Sequence, residues 1–225
     1  MRTMLDRQLA ELKTQVVELG RLAIGQLERA LQAVERRDAA LARAVAEADG
    51  TLDAAESAID SAVVRVLALH QPEAIDLRAL LAALRIATAL ERIGDHAKTI
   101  AKRLATLIDR LDDPVDPDLT TIGRLALGEL VDAMRAYAED DADLALAICA
   151  RDVVLDRLYD GFVETTLQAM EESPAQVRPG AFLLYAGRNF ERIGDQATNI
   201  AERVHFAVRG RLPQEERPRA TAGAL

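Results

Sequence analysis

The chain contains no tryptophan, and aromatic residues make up only 3% of it. A core built without large rings must come from Ala, Leu, Ile and Val, which suits helices that approach one another closely. The single cysteine, Cys149, excludes an intramolecular disulfide and fits a reducing compartment, where its thiol serves as a small core residue in an Ala-rich stretch. No run approaches the roughly 20 apolar residues needed to span a bilayer, and the N-terminal residues follow a charged amphipathic pattern unlike a secretory leader. A cytoplasmic protein with no membrane insertion is expected. Cations are also in short supply: 28 Lys and Arg against 37 Asp and Glu leave a formal charge of −9, a field that repels nucleic acid and anionic membranes. With no Gly-rich phosphate loop, Ser-His-Asp set or Cys-His pair, enzymatic activity is not expected.

What the chain does have is a sustained helical rhythm. Leu5, Leu9, Leu12, Val16, Leu19, Ala23, Leu27, Ala30 and Val34 alternate steps of four and three, which predicts one long helix. Asp38 is placed to cap a second helix with its stripe from Leu41 to Leu69, ended by a turn at Pro72. Asp76 is read as the cap of a third, running to about Arg110. The stretch from Asp112 to Asp118 holds two prolines and four aspartates and cannot continue a helix. It separates a first unit, 1–111, from a second, 117–210, through a linker at 112–116. In the second unit the helices are expected from about Pro117 to Glu139, from Asp141 to Glu171 and from Pro179 to Gly210, followed by a disordered tail at 211–225. The fold class is all-α, with six long helices in two tandem three-helix bundles.

The two units are copies of each other. Gly20-Arg-Leu-Ala-Ile-Gly returns as Gly123-Arg-Leu-Ala-Leu-Gly, 103 residues later, and Leu41, Val45, Asp49, Leu52 and Asp53 match Leu144, Ile148, Asp152, Leu155 and Asp156 at the same offset. Glu91-Arg-Ile-Gly-Asp recurs at Glu191, 100 residues later. The repeated glycines, Gly20 with Gly25 and Gly123 with Gly128, cost about 1 kcal/mol each relative to Ala. Close helix packing or a bend is the expected reason.

The repeated carboxylates carry the functional signal. Asp49 with Asp53, Glu91 with Asp95, Asp152 with Asp156, and Glu191 with Asp195 each stand four residues apart, one turn above each other on a helix face. Like charges so placed repel by about 0.2–0.5 kcal/mol. In an antiparallel hairpin, residues at equal height share one residue-number sum. Asp49 and Asp95 have the same sum as Asp53 and Glu91, centred on Pro72, and the second unit repeats this around Ser173 and Pro174. Four carboxylates therefore face one another in each unit. A hard or borderline cation with oxygen ligands would compensate such a cluster; the alternative is a solvated face with salt bridges, in which Lys98 and Lys102 reach Asp95 and Arg188 reaches Glu191. His96 and His205 have no histidine counterparts and read as core-edge or surface residues, and no Glu-x-x-His di-iron pattern is present.

The segments Leu90-Glu-Arg-Ile-Gly-Asp-His-Ala-Lys-Thr-Ile-Ala-Lys-Arg and Phe190-Glu-Arg-Ile-Gly-Asp-Gln-Ala-Thr-Asn-Ile-Ala-Glu-Arg strongly resemble the PhoU family of phosphate-uptake regulators, as does Asp76-Leu-Arg-Ala-Leu-Leu-Ala-Ala-Leu-Arg-Ile before the first. The resemblance extends to about Gly210. It implies two bundles related by an internal pseudo-twofold and Glu/Asp-x-x-x-Asp motifs that bind metal ions (Fe, Zn, Mn or Mg). The implied ligands are Asp49, Asp53, Glu91, Asp95, Asp152, Asp156, Glu191 and Asp195, with Glu56, Asp60 and Asn199 as accessories. Tyr159 and Val163 replace Glu56 and Asp60 in the second copy, leaving it with fewer carboxylates. The resemblance further implies a homodimeric, non-enzymatic adaptor. It would couple the ATPase subunit of the phosphate ABC transporter to a sensor histidine kinase and restrain phosphate uptake and the phosphate-starvation response. A metal-dependent phosphoester hydrolase and a purely structural helix-pairing protein are the alternatives.

Overall fold

The computed structural model describes residues 2–48, 50–107 and 116–213. Helix α1 (Arg2–Arg36) carries the predicted stripe, with Leu5, Leu12, Val16, Leu19, Ala23, Leu27, Ala30 and Val34 buried. It stops at Arg37, whose φ of 53° is incompatible with a continuing helix. Asp38 then caps α2 (Ala39–Glu47), its Oδ1 accepting the amides of Ala40 and Leu41, each at 2.9 Å. The cap recurs 103 residues later, where Asp141 accepts from Asp143 and Leu144 at the start of α6 (Ala142–Glu172).

The predicted second helix is broken in the first half. After α2 the chain is extended at Ala48 and left-handed at Gly50 (φ 75°) before α3 (Thr51–Leu69) begins. The equivalent helix α6 runs unbroken. The difference traces to one residue, because Gly50 tolerates positive φ and weakens a helix, whereas its counterpart Val153 does neither. Past Pro72, α4 (Ala74–Leu107) starts two residues before Asp76. The carbonyl of Glu73 accepts the Leu77 amide and takes the capping place. Asp76 instead lies in the first turn, where a carboxylate favours the positive end of the helix dipole. Most of the linker at 112–116 lies outside the described residues; Asp116 is within them and caps α5 (Pro117–Glu139), accepting the Asp118 amide at 2.8 Å. A 3-10 turn (Pro174–Gln176) leads into α7 (Val177–Arg209), which ends on left-handed Gly210. The tail expected to be disordered falls, beyond Pro213, outside the described residues.

In each half the last helix is central: α4 packs on α1, α2 and α3, and α7 packs on α5 and α6. The halves join where α4 meets α7 and α1 meets α5, so the buried apolar residues form one continuous cluster across both. The α1–α5 contact displays the internal twofold directly. A methyl built on Gly20 would fall 2.4 Å from Met134 Cε, and one on Gly123 would fall 2.7 Å from Leu31 Cδ1. Exchanging each member of the first pair for its repeat counterpart, Gly20 for Gly123 and Met134 for Leu31, produces the second. Packing thus explains Gly20 and Gly123, whereas Gly25 and Gly128 have no neighbour within 4 Å of an added methyl, and nothing in the structure explains their repetition. Three of the few rings, Phe162, Phe182 and Phe190, are fully buried in the second half, and Cys149 sits half-buried against the core. No helix among the described residues is long and apolar enough to cross a membrane.

Candidate functional site

The predicted carboxylates that fall within the described residues lie near the middle of each half, where the ERIGD turns of α4 and α7 face the preceding helix. In the first half Asp53, Glu91 and Asp95 line one cleft of about 50 Å³ with Gln26, Gly94 and Lys98. Burial and then the neighbouring charges of Asp95, Glu56 and Asp53 push the Glu91 carboxyl above its ordinary range. Asp53 and Asp95 are themselves exposed. Asp49 lies outside the described residues.

The second half is deeper. Asp152, in mid-α6, is only 6% exposed, and Asp156, Glu191 and Asp195 are half-buried. Arg188 Nη1 donates to Glu191 Oε1, the ion pair that the salt-bridged alternative foresees, yet Glu191 Oε2 is buried and accepts no hydrogen bond. Burial, then Asp195, raises the Glu191 carboxyl to about 7, although Arg188 opposes the shift. Among the described residues no three His, Cys, Asp or Glu side chains stand close enough to hold an ion as oriented. A bound cation would have to re-aim these carboxylates.

Sequence reasoning missed one member of this group. Glu129, on α5, is 8% exposed, and its Oε2 is buried with no hydrogen-bond partner. A methyl on Gly194 would lie 3.1 Å from that oxygen and 2.9 Å from Leu155 Cδ1. The glycine of the second pentapeptide therefore leaves room for the Glu129 carboxylate to approach the motif. The first half builds the same approach with an amide: Gln26 Nε2 donates to the Gly94 carbonyl at 2.9 Å. Two sequence signals mark Glu129. It immediately follows the repeated Gly128, and it interrupts the apolar stripe of Ile122, Ala126 and Ala133 with a charge.

Burial, then Asp152, raises the Glu129 carboxyl to about 8, with Arg151 opposing and Asp156 and Asp132 adding to the shift. The folded chain therefore holds a proton that the unfolded chain, titrating near 4.5, releases. In metal-free protein the stability linked to Glu129 is complete below pH 4.5 and is lost as pH rises through about 8. Glu129→Gln mimics the protonated form. It is expected to match the parent near pH 4 and exceed it at pH 9 by on the order of a few kcal/mol, read from urea midpoints across pH. Parallel curves for variant and parent would contradict the burial assigned to this carboxyl.

Neither solitary histidine joins the carboxylates as a cluster member. Asn189 Nδ2 donates to the Tyr185 carbonyl, so its Oδ1 accepts from His96 Nδ1 at 3.0 Å and ties α4 to α7. His205 Nδ1 donates to the Arg211 carbonyl past the end of α7.

Comparison with known proteins places this geometry. The PhoU domain profile matches twice, at residues 16–104 and 119–204. A phosphate-specific transport system accessory protein PhoU homolog of Caulobacter vibrioides is 38% identical over 215 residues, covering 94% of this chain and 93% of its own. One of Xylella fastidiosa is 38% identical over 214 residues, covering 94% and 90%. The crystal structure of PhoU from Pseudomonas aeruginosa superposes with a TM-score of 0.88 at 34% identity, covering 92% of this chain and 99% of its own. The phosphate transport system regulatory protein PhoU from Streptococcus pneumoniae superposes at 0.83 and 27% identity, covering 94% and 100%.

Proposed function

The chain belongs to the PhoU family, and from that premise we propose that it is a metal-binding, non-enzymatic regulator of phosphate transport. It restrains phosphate uptake and the phosphate-starvation response from the cytoplasmic side, linking the ATPase subunit of a phosphate ABC transporter to a sensor histidine kinase. Relatives named as accessory proteins of phosphate transport support the pathway.

One observation carries the metal reading: Glu129 and Glu191 each bury a carboxylate oxygen with no hydrogen-bond partner, in a group that also holds Asp152, Asp156 and Asp195. Leaving ionised oxygens uncompensated costs several kcal/mol, and a cation with oxygen ligands answers that cost. Asp152, Asp156, Glu191 and Asp195 would hold it in the second half, and Asp49, Asp53, Glu91 and Asp95 in the first. When bound, the ion supplies positive charge that ties the two helices of each hairpin together. The residues themselves set the height at which the helices are tied, because each motif spans one turn. Such a tie makes the regulator's surface depend on metal occupancy while the bundle stays folded.

The double variant Asp95→Ala with Asp195→Ala tests this reading. Elemental analysis of purified protein is expected to find metal in the parent and little in the variant, and cells carrying the variant are expected to express phosphate-starvation genes in high phosphate. Equal metal in both proteins would sink the site assignment. Normal repression by a metal-depleted variant would separate the regulation from the metal.

A further inference from the structure

We propose that the two half-sites are unequal, and that the second, completed by Glu129 from α5, is the tighter site for a divalent first-row cation. This inference rests on the carboxylate groups being metal sites, and it goes against the residue count, by which the second copy has fewer acids.

The positions at 26 and 129 are equivalent in the repeat and differ in the charge they can offer a cation. Gln26 is neutral, and its amide nitrogen donates to the Gly94 carbonyl at 2.9 Å. Glu129 presents an oxygen that is buried, unbonded and directed at Gly194, inside the Glu191–Asp195 turn. A third helix therefore contributes a negative ligand in the second half alone. At one position the nearby charge changes in the same direction: Lys98 lines the first cleft, and the equivalent of Lys98 is Thr198, fully buried and uncharged. A fixed ammonium opposes entry of another cation; a hydroxyl does not. The cation of the second half, Arg188, stands where the first half has Thr88 and is paired with Glu191 Oε1, leaving Glu191 Oε2 unbonded.

Preorganisation favours the same half. The helix carrying Asp152 runs unbroken through the site, and Asp152 is buried. The helix in the equivalent place of the first half stops at Glu47 and resumes at Thr51. Its remaining described ligand, Asp53, is exposed, as is Asp95 opposite it. Ligands on rigid, desolvated helix turns lose less entropy on binding and act through a lower dielectric than exposed ligands beside an interruption of the helix. The acids that only the first half has are Glu56, half-buried, and Asp60, exposed, and they do not replace a buried one.

Calorimetric titration of metal-free protein with Mn²⁺ at pH 7.5 tests the inference, using the parent, Glu129→Gln and Gln26→Glu. The parent is expected to show two affinity classes. Glu129→Gln, nearly isosteric, is expected to weaken the tighter class at least tenfold and leave the weaker one in place, whereas Gln26→Glu tightens the weaker class. If Glu129→Gln leaves both classes unchanged while Asp195→Ala removes one, the inference fails and the metal reading stands. Absence of Mn²⁺ binding in the parent would overturn both. Helical content by circular dichroism, expected to be equal in all three proteins, separates lost ligation from lost fold.

Discussion

Phe190→Ala is expected to destabilise the protein by about 3–5 kcal/mol, the range for removing a fully buried ring from a packed core. Phe190 is completely inaccessible, and its ring edge lies against Gly123, where a methyl would come within 3.1 Å. The ring thus fills the space opened by the repeated glycine of α5. Its counterpart in the first half is the smaller Leu90, also fully buried. Against a typical total of about 5–15 kcal/mol, the loss should move the urea midpoint far down with an unchanged slope. Phe190→Leu, which restores most of the volume, is expected to lose much less. Equal midpoints for Phe190→Ala and the parent would show that this junction is not tightly packed.

Saturating the protein with Mn²⁺ is expected to raise its melting temperature by about 5–10 °C. A ligand at 100 times its dissociation constant stabilises the folded state by about 2.7 kcal/mol, and for a chain of this size each kcal/mol is worth about 2–4 °C. The gain arises because Glu129 and Glu191, costly to ionise where they are buried, gain a compensating positive charge when they become ligands to a cation. The shift should be larger at pH 8 than at pH 6, since at the lower pH protons compete for carboxyls whose affinity is raised to about 8 and about 7. Scanning calorimetry with Mn²⁺ against chelator gives the measurement. The Asp95→Ala, Asp195→Ala variant should show almost no shift; a shift equal to that of the parent would place Mn²⁺ elsewhere on the chain.

The grouping of Asp53, Glu91 and Asp95 in one cleft follows from spacing alone, because four residues make one turn and a tight hairpin equates heights on its two arms. Arg188 paired with Glu191 for the same local reason. Glu129 could not be assigned that way. It comes from a helix outside the α6–α7 hairpin, and its approach depends on how α5 docks, a quantity no spacing encodes. The break at Ala48–Gly50 escaped the periodicity because Leu41, Val45 and Leu52 keep the helical rhythm across it. One glycine changed the backbone without disturbing the pattern.

Helical periodicity, the 103-residue offset and the repeated Glu-Arg-Ile-Gly-Asp were sufficient for the class of fold, the duplication and the two carboxylate groups, since all three depend on contacts within a helix or between consecutive helices. Tertiary packing decided how α1 meets α5 and α4 meets α7, and with it the inequality of the two groups. The cost of burying a charge is set by everything around it, so Gln26 and Glu129 look like a minor substitution in the chain and become, in the fold, a hydrogen-bonded amide and a buried carboxyl with an unbonded oxygen.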